Sequence, residues 1–440
     1  MRAGMKADMR AGMRAVSLTL ILILVATQGM AARSFETCFR DSTLRIDYIF
    51  SGNNRQQVIS VDQLSYSPGW FGRRANMDRL LLGGNGQITV TDTLGHDTLY
   101  RHSFSTLFQE WQSTEEATRL WRSFENVFLI PMPRFPVNVT LTLSDTHRRE
   151  TSRLTHRIDP ADILIRPLHA WPGSYWNYLR RTGDSSQRID VAFVAEGYGA
   201  GEMATFRADC EESIEAILSH EPFRSMAGRF NFIAVNVPSQ EGGVSIPHRG
   251  EWHQTVLGSS FDTFYSERYL TTLRLKRLHD VLATVPYEHI IILANTDNYG
   301  GGGIYNSYLL SAAHNSKSRP VVVHEFGHSF AGLADEYYYD DQYETVYPAD
   351  TEPWEPNLTT LVDFAGKWAD MMPRRQPVPT PPSGKNVYEE VGVYEGGGYQ
   401  SRGVYRPAQE CRMKINEAPV FCPVCERAIR RMIDYQCPPR

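Results

Sequence analysis

The sequence predicts a protein of mixed α+β and α/β class, with a β-rich N-terminal unit over residues 34–160 and an α/β unit over residues 165–440. Short segments rich in β-branched and aromatic residues, separated by polar or glycine-containing turns, fill the first unit and are typical of a β-sandwich. In the second unit, apolar runs suited to buried strands alternate with segments of helical pattern. A proline-containing stretch over residues 158–176 separates the two units and predicts a linker.

The individual elements follow from the same local patterns. In the N-terminal unit we predict strands at residues 44–50, 57–61, 87–90 and 137–143. In the second unit we predict strands at 189–195, 230–237 and 289–294, and helices at 203–218, 269–282 and 320–331. The proline-rich stretch 370–384 predicts an exposed loop. The sequence of the first unit has no residue cluster with metal-ligand spacing, so the chemistry is expected in the second.

Residues 1–32 predict a secretory signal peptide. Basic residues precede an apolar run at 16–26, and small residues follow it, which places cleavage after Ala31 or Ala32. The apolar run is too short to span a bilayer comfortably, so no membrane insertion is expected after cleavage. We therefore expect the mature chain to be secreted, periplasmic or at the cell surface.

The charge balance argues against a polyanionic partner. The chain has 45 Lys and Arg residues against 50 Asp and Glu residues, a formal net charge of -5. Binding to nucleic acid or to an anionic membrane surface normally requires an excess of positive charge. Nucleic acid is therefore not an expected partner.

The cysteines leave two interpretations open. There are six: Cys38, Cys210, Cys411, Cys422, Cys425 and Cys437. An even number in an exported protein favours disulfides, which would staple the C-terminal tail. The pair Cys422 and Cys425, with two residues between them, has instead the spacing of half a structural zinc site. We favour disulfides, because an oxidising compartment disfavours free thiolates.

The strongest chemical signal is the segment 324–328. His324 and His328 are four residues apart on a predicted helix, so both imidazoles project from one face and can bind one Zn²⁺. Glu325 is placed to act as general base on a metal-bound water. Gly332 marks the end of the helix, and Asp335, three residues later, is the predicted third ligand. The alternative interpretation is a surface helix with two incidental histidines.

The residues after the helix refine this assignment. Asp335 is preferred to Glu336 because the offset from the glycine to the last ligand is the one found in metzincins. Metzincins also carry a methionine in a turn beneath the metal. Met413 is the first candidate for that methionine, with Met371 and Met372 as alternatives.

The sequence around these residues resembles the IgA-peptidase family of zinc metallopeptidases. Residues 323–337 read VHEFGHSFAGLADEY. Similar blocks lie along the rest of the chain: VAEGY at 194–198, EPF at 221–223, VPSQEGG at 237–243, LGSSFDTF at 257–264, RYLTTL at 268–273, ILANTDNYGGGGIY at 292–305, EGGGY at 395–399 and VYRPAQECRM at 404–413. The part beginning LRIDY at 44–48 resembles the family's N-terminal domain.

The resemblance implies a metzincin-like zinc-peptidase catalytic domain behind the β-sandwich. It implies one catalytic Zn²⁺ on His324, His328 and Asp335, Glu325 as the catalytic residue, and a protein or peptide substrate. It does not imply immunoglobulin as the substrate, because specificity lies in pocket residues outside the motif. Two other functions stay open: a zinc hydrolase of a non-protein substrate, and a surface protein that binds glycan or host protein and carries a structural zinc.

Three further features have alternative interpretations. The glycine run 300–303 is either a cleft-bordering strand that pairs with an extended substrate or a flexible turn. Tyr394 or Tyr399 is a candidate to polarise a scissile carbonyl, although packing is the simpler role. A group of acidic residues is either a Ca²⁺ site or merely solvated: Asp335, Glu336, Asp340 and Asp341.

Overall fold

A computed structural model describes residues 34–339 and 346–439. The predicted signal peptide and two members of the acidic group, Asp340 and Asp341, lie outside the described residues. Within the two described ranges, no helix is both long enough and apolar enough to cross a membrane.

Strands dominate the chain from residue 39 to residue 180, and helices are interspersed among strands after it. The strands are β1 Phe39–Gly52, β2 Gln57–Pro68, β3 Gly86–Asp92, β4 Thr98–Phe104, β5 Arg122–Pro133, β6 Val137–Ser144, β7 Glu150–Ile158, β8 Arg166–Pro167, β9 Tyr175–Arg180, β10 Ile189–Glu196, β11 Phe230–Asn236, β12 His289–Ala294, β13 Gly301–Ile304, β14 Tyr308–Ala312, β15 Tyr338–Tyr339, β16 Tyr394–Gly397 and β17 Tyr399–Arg406. The α-helices are α1 Phe35–Cys38, α2 Leu107–Gln112, α3 Met203–Leu218, α4 Leu275–Val281, α5 Ser318–Ala331 and α6 Pro423–Gln436.

The N-terminal unit consists of two four-stranded sheets, ordered β5-β1-β2-β8 and β4-β3-β6-β7. Strand β6 shows why they form, because its apolar side chains at alternate positions are buried and the polar ones between them are half-buried. The sheets pack face to face. The rings of Phe104 on β4 and Phe128 on β5 lie 4.3 Å apart, and the Tyr48 hydroxyl lies 2.7 Å from Nε2 of His156. All four strands predicted for this unit are present.

The second unit is built on a six-stranded sheet ordered β13-β14-β12-β10-β11-β9. The four inner strands are parallel to one another, and the edge strands β13 and β9 are antiparallel to their neighbours. Every residue of β10 and β12 is buried, as expected for parallel strands covered on both faces. Helices α3 and α5 pack on this sheet and on each other. The mixed fold class and the predicted strands of this unit are confirmed.

One predicted helix is wrong in its first half. The sequence predicts a helix over residues 269–282, but α4 covers only Leu275–Val281. The preceding residues are extended: Thr271 and Ser260 exchange two backbone hydrogen bonds of 3.0 and 3.2 Å, and Tyr269 bridges to Gly301 on β13. Pairing with distant residues therefore overrides the helical spacing of the local sequence.

The two units share one continuous apolar core. At their contact the Ser105 N–H donates to the carbonyl oxygen of Tyr305 at 3.1 Å, and the Asn306 amide donates to the carbonyl oxygen of Ser103 at 2.7 Å. This contact lies directly after β13, so the N-terminal unit packs beside that edge of the second sheet.

A loop connects the two units over the surface. Ile163 and Leu164 in this loop are exposed. The chain then adds β8 to the N-terminal sheet beside β2 and β9 to the second sheet beside β11. The proline-rich stretch 370–384 contains no strand or α-helix, as predicted.

A small sheet, ordered β15-β17-β16, and helix α6 complete the second unit. Helix α6 begins after Cys422, with Pro423 in its first turn, where the missing N–H is not needed. The segment between β17 and α6 passes beneath helix α5, and the Glu336 N–H donates to the carbonyl oxygen of Met413 at 2.8 Å.

Candidate metal centre

Helix α5 carries the two histidines and ends where the sequence predicts. Residues 321–323 are buried in its first half. Gly332 adopts a left-handed conformation with φ of 60°. The N–H groups of Gly332 and Leu333 donate to the carbonyl oxygens of His328 at 3.0 Å and Gly327 at 3.2 Å, which closes the helix. The following residues then turn back towards the histidines.

The three predicted ligands meet at the end of this helix. Nε2 of His324 lies 3.0 Å from Nε2 of His328, and Oδ1 of Asp335 lies 2.9 Å from the first nitrogen and 3.2 Å from the second. Ligands bound tetrahedrally to Zn²⁺ at about 2.0–2.1 Å are about 3.3 Å apart. The size and chemistry of this triangle therefore fit one Zn²⁺. His324 and Asp335 are buried and His328 is half-buried, so the centre is open on one side.

Backbone carbonyls orient both imidazoles. The Nδ1 of His324 donates to the carbonyl oxygen of Arg412 at 2.9 Å, and the Nδ1 of His328 donates to that of Leu333 at 2.5 Å. A carbonyl only accepts hydrogen bonds, so each Nδ1 carries the proton and each Nε2 is free to bind a metal.

The charges of the centre are balanced internally. Burial alone would raise the pKa of Asp335, but the two adjacent imidazoles override it and hold the pKa well below its usual range. Burial likewise lowers the pKa of His328, and the Asp335 carboxylate overrides it and raises the pKa to about 9. The ionised Asp335 is thus paired with a protonated imidazole. A divalent cation that took the place of this proton would still leave the carboxylate paired with a positive charge.

Glu325 lies beside this triangle, against strand β13. The strand approaches the helix so closely that a Cβ added to Gly303 would lie 2.5 Å from the carbonyl oxygen of Glu325 and 3.1 Å from its Oε2. The glycine run is therefore an edge strand and not a flexible turn. Its glycines allow helix α5 to pack closely, and Tyr269 already bridges the outer edge at Gly301. Pairing of this strand with a substrate stays a prediction.

Met413 lies beneath the helix. It is fully buried, and a Cβ on Gly327 would lie 2.7 Å from its Sδ, so the sulfur fills the space below the helical turn between His324 and His328, the predicted ligands. The alternatives Met371 and Met372 are half-buried in a short turn of the proline-rich region.

The two tyrosines considered from the sequence differ in position. The hydroxyl of Tyr399 donates a hydrogen bond to Oδ2 of Asp335, so it contacts the third predicted ligand. The ring of Tyr337 packs edge-on against that of Tyr399. Tyr394 is buried in β16 and packs near Gly392.

Glu110 and Tyr269 also lie near the centre, and the sequence did not single them out. Glu110, on α2 of the N-terminal unit, accepts a hydrogen bond from the Tyr269 hydroxyl. Burial raises the pKa of Glu110 to about 7, with Tyr269 and His328 opposing that rise. No local signal marks Glu110, because it reaches this position only through the packing of one unit on the other.

The acidic group does not form a Ca²⁺ site among the described residues. Asp335 faces the histidines, whereas the carboxylate of Glu336 faces away, towards the thiols of Cys411, Cys422 and Cys425. The expectation of Ca²⁺ is therefore not supported. Two adjacent carboxylates therefore belong to two different clusters.

The predicted disulfides are absent from the structure, since all six cysteines are buried as free thiols. Three of the four C-terminal cysteines converge on Glu336, and Cys437 lies apart, beside Arg229. Cys422 and Cys425 therefore lie in one cluster and do not form two separate disulfide bonds.

A helix with His-Glu-x-x-His and a returning acidic side chain is the arrangement of a metal-dependent hydrolase. Comparison with known families makes the class specific. The family described as IgA Peptidase M64 matches residues 178–390 and 382–433, and the one described as Peptidase M64 N-terminus matches residues 34–155. The chain belongs to the IgA peptidase M64 family, which confirms the resemblance seen in the sequence. A comparison with curated proteins found no match.

Proposed function

We propose that the chain is an exported zinc-dependent endopeptidase with a metzincin-like catalytic domain. One observation carries the proposal: His324, His328 and Asp335 form a ligand triangle with Glu325 beside it. Catalytic zinc sites have three protein ligands and keep the fourth position for water or substrate. Membership of a peptidase family supports a protein or peptide as the substrate.

The ligands would hold Zn²⁺, which lowers the pKa of a bound water to about 7 and polarises a carbonyl group. Glu325 takes the proton of the attacking water and can return it to the leaving amine. The carbonyls of Arg412 and Leu333 fix the imidazole tautomers. Tyr399 holds the carboxylate of Asp335 by its second oxygen, which leaves Oδ1 facing the imidazole nitrogens, where it would serve as a metal ligand.

The same geometry favours an enzyme over a binding protein with a structural zinc. Structural zinc is usually enclosed by four protein ligands. Among residues 34–339 and 346–439, only three metal-ligating side chains group at this centre. The half-buried His328 and Glu325 leave one side of it open. A hydrolase of a non-protein substrate would have the same geometry. Only identification of the reaction products distinguishes it from a peptidase.

The test is proteomic cleavage-site profiling of the purified protein with zinc, followed by rates for the peptides it cleaves. Glu325→Gln keeps the shape of the side chain but cannot accept a proton, so the rate should fall by about 10²–10⁴-fold. Zinc content should not change, because Glu325 is not a ligand. Glu215→Gln, on the exposed face of α3, is the matched control and should keep full activity.

Two results would contradict the proposal. Undiminished peptide hydrolysis by zinc-loaded Glu325→Gln would exclude Glu325 as the base. Absence of any cleaved peptide, with hydrolysis of a peptidoglycan crosslink instead, would favour the non-protein substrate. Export is tested separately, since the secreted chain should begin at Ala32 or Arg33 when its N-terminus is sequenced.

A further inference from the structure

A second cluster of metal-ligating side chains lies behind the first. It contains Glu336, Cys411, Cys422 and Cys425, all with no exposed surface, and their ligand atoms lie within 4.8 Å of one another. Oε2 of Glu336 is buried without a hydrogen-bond partner. A buried carboxylate with an unpartnered oxygen is costly unless a cation or a donor is supplied to it.

The distances in this cluster match metal ligation and not a disulfide. Sγ of Cys411 lies 3.8 Å from Sγ of Cys425. Two sulfurs bound tetrahedrally to Zn²⁺ at about 2.3 Å are about 3.8 Å apart, whereas the bond of a disulfide is about 2.05 Å long. Oε1 of Glu336 lies 3.1 Å from Sγ of Cys425, which places the oxygen at the same centre.

The local backbone favours thiolates at this position. Cys422 is the N-cap of helix α6 and Cys425 lies in its first turn, where the positive end of the helix stabilises negative charge. The N–H of Cys422 donates to Sγ of Cys411 at 3.3 Å. A helix N-terminus alone would not define a site, but here it presents two sulfurs to a third sulfur and to the unpartnered carboxylate.

We propose that Cys411, Cys422, Cys425 and Glu336 bind a second, structural Zn²⁺. Three sulfurs exclude Ca²⁺ and Mg²⁺, which take oxygen ligands. Four protein ligands with no exposed surface make a closed site, in contrast to the open triangle of the first centre. The proposal does not depend on the proposed peptidase activity.

The position of this site defines what it does. Glu336 directly follows Asp335, and its N–H donates to the carbonyl of Met413. Cys411 directly precedes Arg412, whose carbonyl accepts the hydrogen bond from His324. One ion bound here ties together the segment that returns the third ligand and the segment that passes beneath the helix. It is thus a positioning element for the first centre.

The first experiment is metal analysis of the purified full chain, which should contain two Zn per chain. Cys411→Ala and Cys425→Ala should each lose one Zn, and His328→Ala should lose the other. Cys210→Ala is the matched control, because Cys210 is equally buried, lies on α3 and belongs to neither cluster; it should keep both. If the unaltered chain contains one Zn, and both Cys411→Ala and Cys425→Ala retain it, the proposal is overturned.

A second measurement covers the case in which the cysteine variants do not fold. The unaltered chain loaded with Co²⁺ should show an intense sulfur-to-cobalt charge-transfer band, which the first centre cannot produce because it has no sulfur ligand. The band should persist in His328→Ala, so a failure of the peptidase proposal would leave it intact. A cobalt-loaded chain without this band overturns the proposal. Free thiols should also be counted after denaturation with chelator and without reductant. A count of four in place of six, caused by a disulfide between two of the clustered cysteines, would likewise overturn the proposal.

Discussion

The close packing of strand β13 on helix α5 predicts the effect of one added methyl group. In Gly303→Ala the new Cβ would lie 2.5 Å from the carbonyl oxygen of Glu325, and 3.1 Å from Oε2 of Glu325 and from Cβ of His328. Ordinary contact begins at 3.4 Å, so strand and helix must separate by about 0.9 Å at this point. Overpacking of this kind costs about 1–3 kcal/mol of stability.

The same displacement moves Glu325, the proposed general base, and His328, a predicted ligand, together. A misplacement of about 1 Å can cost about 10²-fold in rate, so kcat/KM for the peptides cleaved by the unaltered chain should fall by about that factor. The thermal midpoint should also fall by several degrees. Zinc content should be measured in parallel, since a displaced His328 also weakens binding.

Gly201→Ala is the control for the added methyl group, because its Cβ would meet nothing within 4 Å. That variant should keep both activity and thermal midpoint. If Gly303→Ala matched Gly201→Ala in activity and stability, the packing of β13 on helix α5 would not be what positions Glu325, the proposed base.

The linker, one buried carboxylate and Tyr399 each give a further expected outcome. Limited proteolysis should cut first within residues 158–176, where Ile163 is 94% and Leu164 is 75% exposed; earlier cuts inside a unit would contradict the boundary. Burial raises the pKa of Asp190 to about 6, from 3.8, despite a hydrogen bond from Asn231, so the native state loses stability as pH rises from about 4 to 6. Asp190→Asn should therefore gain up to about 3 kcal/mol at pH 7 and little at pH 4 in thermal unfolding, and equal gains at both pH values would contradict this cause. Tyr399→Phe should weaken zinc affinity by about 10–100-fold in a chelator titration, and unchanged affinity would show that the hydroxyl does not position Asp335.

Local signals in the sequence predict much of the second unit. The apolar runs of β10 and β12 and the glycine after α5 indicate buried strands and a helix end, and the structure has them. The local pattern of residues 269–282 predicts a helix, yet Tyr269 and Thr271 are extended because they pair with Gly301 and Ser260 respectively. Such pairing leaves no mark in a local pattern.

The residues around the first centre also divide into those that a local motif predicts and those that only long-range packing brings together. The spacing of His324 and His328 is fixed by one helical turn, so a motif suffices to predict that they share a face. Glu110 is 159 residues from its partner Tyr269, and only the packing of the two units brings it there. Similarly, the spacing of Cys422 and Cys425 is compatible with half a zinc site, although disulfides are favoured from the sequence, and no spacing predicts that Cys411 and Glu336 join them.

Anomalous X-ray scattering at the zinc edge, measured on crystals of the full chain, would locate the metal of the proposed peptidase centre. We expect a zinc peak bonded to Nε2 of His324, Nε2 of His328 and a carboxylate oxygen of Asp335, with a non-protein oxygen completing the coordination next to Glu325. A zinc-loaded crystal without a peak between these residues would refute the proposed zinc site. A peak enclosed there by a fourth protein ligand would contradict it equally, because a closed centre has no position at which Glu325 could act on a water.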